Sequence, residues 1–166
     1  MAQPNLVVMG VSGCGKSLIG QQLAAALALP FFDADDFHSP ANVAKMASGV
    51  PLTDDDRAGW LDSLADLITE RAPLVLACSA LRQRYRDRLR QADPGLVFVH
   101  LDGDIDTIWA RLSQRRDHYF NGRAMLENQF EQLERPAQDE ALRIDINRPA
   151  EQVLAACLEA VTRRPA

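Results

Sequence analysis

Residues Gly10-Val11-Ser12-Gly13-Cys14-Gly15-Lys16-Ser17 fit the pattern G-x-x-x-x-G-K-[ST] without a mismatch. Each residue type has a physical reason. Glycines let the backbone turn where side chains would collide. The N–H groups of the turn then point inward and cradle phosphate oxygens. The helix opening near Lys16 adds the positive end of its dipole. Lys16 can reach the β- and γ-phosphates, and the Ser17 hydroxyl can ligate Mg²⁺. Such a loop needs a buried strand before it and a helix after it, and both are present. Leu6-Val7-Val8-Met9 is a short apolar run. From Lys16 to Ala28, Ile19, Leu23 and Leu27 recur on one helical face. A chance glycine-rich turn would lack that context. The loop predicts nucleotide binding, but it does not separate kinases from GTPases, motors or regulatory nucleotide binders.

The rest of the chain alternates strands with helices. Phe31-Phe32 leads into Asp33-Ala34-Asp35-Asp36 and reads as the end of a second strand. Thr53 and Asp56 have capping-box spacing before a helix whose stripe is Trp60, Leu64, Leu67 and Ile68. Leu74 to Cys78 is a buried strand, Leu81 to Ala92 a helix, and Leu96 to Leu101 another strand. Asp104 can cap a helix with Ile105, Ile108, Trp109 and Leu112 inward. Arg115 to Gly122 breaks the period, and a helix with Leu126, Phe130 and Leu133 follows. Leu142 to Ile146 is a last strand, and Asn147 and Pro149 open a final helix. This order predicts an α/β fold with a parallel sheet covered on both faces. With 166 residues, no repeats and no linker, one domain is expected over 1–166, with a lid at about 115–123.

The net charge of −5 argues against a general nucleic-acid binder, because phosphate backbones demand a basic face. No stretch reaches membrane-spanning length, and the uncharged N-terminus with its short apolar run does not resemble a signal peptide. Cys14, Cys78 and Cys157 are odd in number and widely spaced, as reduced thiols would be. A soluble cytoplasmic protein is expected.

A kinase for a small molecule needs an acceptor site beside the γ-phosphate, cations for the transferring group, and a way to exclude water. Asp33 and Asp35 follow the second strand, where ligands sit at the edge of a parallel sheet. One carboxylate can take or orient a hydroxyl proton while the other holds Mg²⁺ through water. A solvated turn, or a cap at Asp36, is the alternative. Arg111, Arg115, Arg116, His118 and Arg123 surround the aperiodic segment, as an arginine-bearing lid would require; a charged helix face reads the same way. The arginines from Arg82 to Arg90 are spaced by two and cannot share a helical face, so most are expected in solvent, with Arg82 the exception. Asp54-Asp55-Asp56 resembles a metal ligand set but suits a first helical turn better. His38 and His100 each fit a structural role, and His38 gains weight from following Asp35.

Taken together, these residues resemble the gluconate kinases, P-loop kinases related to shikimate and nucleoside monophosphate kinases. The resemblance covers nearly the whole chain. It rests on Gly10–Ser17, on Asp33-Ala-Asp35 with His38, and on Lys45-Met-Ala-Ser-Gly49. It continues through Pro51-Leu-Thr-Asp-Asp-Asp-Arg57 with Trp60, Cys78-Ser-Ala-Leu-Arg82 with Tyr85-Arg86-Asp87, and Gln129-Phe-Glu-Gln-Leu-Glu134. It implies a P-loop fold with five parallel strands, a homodimer, and ATP-dependent phosphorylation of D-gluconate at the 6-hydroxyl in gluconate catabolism. By the same resemblance, Gly10, Val11, Ser12, Gly13, Cys14, Gly15, Lys16, Ser17 and Leu18 hold ATP, and Ser17 and Asp33 serve Mg²⁺. Lys16, Asp35, Arg111 and Arg115 are the implied catalytic groups, with Asp35 activating the acceptor. Arg57 is implied to hold the substrate carboxylate, and His38, Lys45 and Arg82 to line the sugar-acid site. Arg111 and Arg115 are placed on the nucleotide side and lid, and Asp145 to Pro149, with Asn147 among them, near the adenine. A planar arginine fork suits a carboxylate, and Asp and His suit hydroxyls.

Two departures stand out. The strand at Leu74 ends in Cys78-Ser79, where many P-loop enzymes place a Mg²⁺-linked aspartate. Cys14 occupies a loop position that is often smaller or hydroxylated; little effect is expected, since the backbone carries the contacts, though the thiol could make the loop sensitive to oxidants. Shikimate kinase is the nearest rival, but it would carry a triple glycine near the third strand, and this chain has no Gly-Gly pair anywhere.

Overall fold

The computed structural model describes residues 3–71, 73–114 and 123–164. Five strands form its sheet: β1 (Leu6–Met9), β2 (Phe31–Asp33), β3 (Val75–Ala77), β4 (Val97–Asp102) and β5 (Ala141–Asp145). Their order is β2-β3-β1-β4-β5, and every neighbouring pair is parallel. Parallel strands need crossovers, and the crossovers here are helical. The helices are α1 (Lys16–Leu27), α2 (Pro40–Ala47), α3 (Asp54–Arg71), α4 (Gln83–Ala92), α5 (Ile105–Ser113), α6 (Arg123–Gln132) and α7 (Ala150–Arg163).

All four residues of β1 are buried, because helices cover both faces of the sheet. Leu6 and Val8 face one core with Ile19, Leu23, Ile108, Val153 and Cys157. Val7 and Met9 face the other with Trp60, Leu64, Ile68 and Leu89. Each fully buried leucine or isoleucine contributes about 1.5–3 kcal/mol against leaving it in water.

The local signals behave as their chemistry requires. Thr53 N–H donates to Asp56 Oδ2 at 2.9 Å, and Asp56 N–H donates to Thr53 Oγ1 at 3.1 Å, closing the capping box of α3. Asp104 Oδ1 accepts from Thr107 N–H at 2.7 Å and caps α5. Helix α2 is an addition to the sequence reading. Ser39 Oγ accepts from Asn42 N–H at 3.2 Å, and Pro40 sits in the first turn, where its missing N–H costs nothing.

One expectation needs correction. The buried arginine of α4 is Arg86, 1% exposed, whereas Arg82 is only half-buried and flanks the helix start. Arg86 donates to the carbonyls of Ala80 (2.8 Å), Leu81 (3.2 Å) and Glu134 (2.8 Å), and its Nε donates to the Glu140 carboxylate. It bolts α4 to the segment that leads into β5. The described cysteines Cys14, Cys78 and Cys157 are buried free thiols.

Candidate active site

Parallel strands deliver the loops that follow them to one edge of the sheet, and among the described residues the phosphate loop and Asp33 to Asp35 follow β1 and β2 there. Gly10 to Gly15 join β1 to α1. A Cβ on Gly10 would lie 2.8 Å from the carbonyl oxygen of Leu101, so β4 presses directly on the loop. Gly13 has φ +84°, and a Cβ there would come within 2.5 Å of the Leu112 side chain on α5. Both positions therefore exclude side chains. No side chain caps α1 and its first turn holds no acidic residue, which leaves its N–H groups free for an anion. Lys16 Nζ folds back to the Val11 carbonyl at 3.3 Å, over the loop.

Ser12 has a partner that the sequence did not announce. Its N–H donates to Gln129 Oε1 at 2.7 Å, and Gln129 Nε2 donates to Ser12 Oγ at 2.8 Å. This two-point clamp ties α6 to the phosphate loop across 117 positions of sequence. Cys14 is buried within the loop. Burial pushes its thiol up, against the pull of Lys16, so it stays protonated and the anticipated oxidant sensitivity is not favoured.

Ser17 Oγ donates to Asp33 Oδ2 at 2.9 Å, bringing together the two oxygens expected to serve Mg²⁺. Both are hard donors, as Mg²⁺ prefers. Among the described residues no group of three or more His, Cys, Asp or Glu side chains could hold a metal. A cation here would draw most of its ligands from phosphates and water, which is the habit of Mg²⁺ at nucleotide sites. Asp33 Oδ1 also accepts from Asp35 N–H at 3.0 Å, so Asp33, not Asp36, caps the short 3₁₀ turn Ala34–Phe37. Asp35 is exposed at the surface, although the surrounding protein partly desolvates its carboxyl. That desolvation, reinforced by the Asp33 charge, pushes its carboxyl above the ordinary aspartate value, with Lys16 pulling the other way.

Beyond Asp35, the His38 ring stacks on Trp60, with centroids 4.5 Å apart and planes 12° from parallel. Trp60 Nε1 donates to the Ala34 carbonyl at 2.7 Å, which fixes the stacking platform. Arg57 Nη1 donates to Tyr85 Oη at 3.2 Å, and that hydroxyl donates to Asp54 Oδ1 at 2.7 Å. Lys45 Nζ pairs with Asp56 Oδ2 at 2.8 Å, so its charge is directed to α3. Arg82 caps the start of α4, three residues before Tyr85.

On the other side of the loop, Arg111 Nη2 donates to the carbonyls of Ile146 (2.6 Å) and Arg148 (3.3 Å). It fastens α5 to the turn carrying Asn147 and Pro149, the stretch expected near the adenine. Arg115, Arg116, His118 and the 115–122 part of the expected lid lie outside the described residues; Arg123 begins α6 and pairs with Asp106 at 2.6 Å. A separate cavity of about 570 Å³, lined in part by His100, Asp102, Arg135 and Arg143, contains none of the predicted site residues. Its arginines are spent on Asp102, at 2.7 Å each.

The geometry matches known proteins at two levels. A family model described as shikimate kinase matches residues 12–162. The thermosensitive gluconokinase of Escherichia coli K12 is 46% identical, over 97% of this chain and 89% of its own length. The chain belongs to the shikimate kinase family, in its gluconokinase group. A solved gluconokinase from Sinorhizobium meliloti superposes with a TM-score of 0.90 at 39% identity, covering 96% of this chain and 92% of that one. The shikimate kinase of Aquifex aeolicus superposes with a TM-score of 0.65 at 17% identity, which shows a shared fold and nothing about the acceptor. After β3, Ala80 has φ +46°, in the left-handed region, and its carbonyl accepts from Arg86.

Proposed function

We propose that this protein transfers the γ-phosphoryl group of ATP to the 6-hydroxyl of D-gluconate, giving 6-phospho-D-gluconate and ADP. The observation that carries the reading is the 46% identity to a gluconokinase across 97% of the chain. The geometry supports it, since the Ser17–Asp33 pair sits beside Asp35, whose charge in turn reaches His38 next to Arg57.

The amides of Gly13 to Ser17 and Lys16 hold the triphosphate, and the α1 terminus adds its dipole. Ser17 and Asp33 would hold Mg²⁺, which would supply positive charge against the β- and γ-phosphates. Arg57 grips the gluconate carboxylate, and His38, Lys45 and Arg82 contact its hydroxyls or flank them. Asp35 orients the 6-hydroxyl and receives its proton as the oxygen bonds to phosphorus and the bond to the ADP oxygen breaks. Its raised pKa suits that proton transfer. Arg111 and Arg115 stabilise the nucleotide side, and Asn147 and Pro149 border the base. We read residues 1–166 as one cytoplasmic kinase domain, acting as a homodimer in gluconate use.

A coupled ADP-release assay tests this across gluconate, other sugar acids, shikimate and nucleoside monophosphates. Selective, Mg²⁺-dependent turnover of gluconate is expected. Turnover of shikimate or a nucleotide with none of gluconate overturns the substrate assignment.

A further inference from the structure

His38 has a second neighbour whose chemistry decides what the ring can do. Asn42 is 4% exposed and lies one helical turn further on, in α2. Its Nδ2 lies 2.8 Å from the backbone carbonyl of Asp56 and 3.3 Å from His38 Nδ1. A backbone carbonyl can only accept, so the Asn42 atom facing Asp56 must be the NH₂ group. Turning the amide over would set two carbonyl oxygens against each other in a buried place. One of the two hydrogens on Nδ2 goes to Asp56, and the other is left for His38 Nδ1. That ring nitrogen must therefore offer a lone pair. A neutral imidazole with Nδ1 unprotonated carries its proton on Nε2.

The surroundings keep the ring neutral. Burial against Trp60 lowers the His38 pKa, and the Arg57 charge on α3 lowers it further; Asp35 opposes both. Among the described residues Nε2 has no hydrogen-bond partner, so its N–H is available to a ligand.

We propose that Asn42 is a positioning residue that locks His38 as the Nε2–H tautomer, making His38 a hydrogen-bond donor to an acceptor-molecule oxygen and not a base. The claim rests on the surroundings of Asp35 and His38 being the sugar-acid site. It divides the labour there: His38 gives a hydrogen bond, and Asp35 alone takes the hydroxyl proton. The position favours a ligand oxygen with a free lone pair, a hydroxyl or a carboxylate.

Long-range ¹H–¹⁵N NMR of the ligand-free protein, with His38 assigned through His38→Gln, reads the tautomer directly. The expected spectrum shows Nε2 protonated and Nδ1 bare. Asn42→Asp presents only acceptor oxygens and shifts the proton onto Nδ1, while calorimetric ATP affinity stays the same. In kinetics, His38→Gln keeps an N–H and holds KM for gluconate within about threefold, whereas His38→Leu raises it about tenfold. A wild-type spectrum with Nδ1 protonated overturns the proposal, even where Asn42→Asp fails to fold. So does equal KM for the Gln and Leu variants. If gluconate is not a substrate, the ligand-free spectrum still decides the tautomer, so the two readings fail separately.

Discussion

Asp35 shows how a single residue can be tuned by its neighbours. A carboxylate beside another carboxylate is a stronger base than one in water, because burial and the Asp33 charge both resist its ionisation. Replacing it with asparagine keeps the shape and removes the proton acceptor. For Asp35→Asn we expect kcat to fall about 10²–10⁴-fold, the usual worth of a positioned acid or base. ATP affinity should be retained, because the phosphate grip resides in Gly10 to Ser17. Steady-state kinetics with calorimetric titration of ATP check both halves. A variant with unchanged kcat would show that the carboxylate neither orients the acceptor nor takes its proton.

At the scale of elements, what holds the site together is often distant in sequence. Gln129 of α6 clamps Ser12 from both sides of its peptide and hydroxyl. Gln129→Leu keeps the helix but leaves the Ser12 N–H without its partner. Affinity for ATP is expected to weaken about tenfold, the worth of one to two hydrogen bonds, with thermal stability little changed. Unaltered calorimetric affinity would make the clamp irrelevant to nucleotide binding. Arg86 does a purely structural version of the same work. Arg86→Ala leaves three carbonyls without their donor and Glu140 with Arg90 alone, and denaturant titration should show a loss of about 3–5 kcal/mol. These contacts also mark where sequence reading ends. β1, the phosphate loop and α1 were legible because motif, strand and helix adjoin. The capping box of α3, the cap of α5 and the acidic pair at the end of β2 were legible for the same local reason. Helix α2 is only eight residues long, too short for a period to declare itself, although Ser39-Pro40 carried its start signal. Five arginines spaced by two look alike until the chain near Glu134 and Glu140 returns to bury one. Asn42 and Gln129 gain their meaning from partners that no spacing rule reaches.

Across the whole molecule, pH acts on stability through the groups that folding removes from water. His100 is the clearest case. It lies in β4, 5% exposed, and its pKa is lowered to about 4. Burial is the main cause, the arginines Arg135, Arg86 and Arg143 add to it, and Asp102 opposes. Between pH 6.5 and about 4 the unfolded chain binds a proton at this histidine and the folded one does not. The unfolded state therefore gains from acidification, and unfolding free energy falls as pH falls across that window. The size is on the order of 3 kcal/mol at full effect. His38 acts with the same sign, since its pKa is also lowered. Asp35 acts against it: its raised pKa lets the folded form take up a proton before the unfolded one does. His100→Gln removes one contribution among several, so the pH slope should become shallower without vanishing. Urea titrations at half-unit steps from pH 7 to 4 measure that slope. A variant as acid-sensitive as the parent would mean that His100 is hydrated in the folded state, and that the wall of β4 and β5 beneath Arg135 and Arg143 admits water freely.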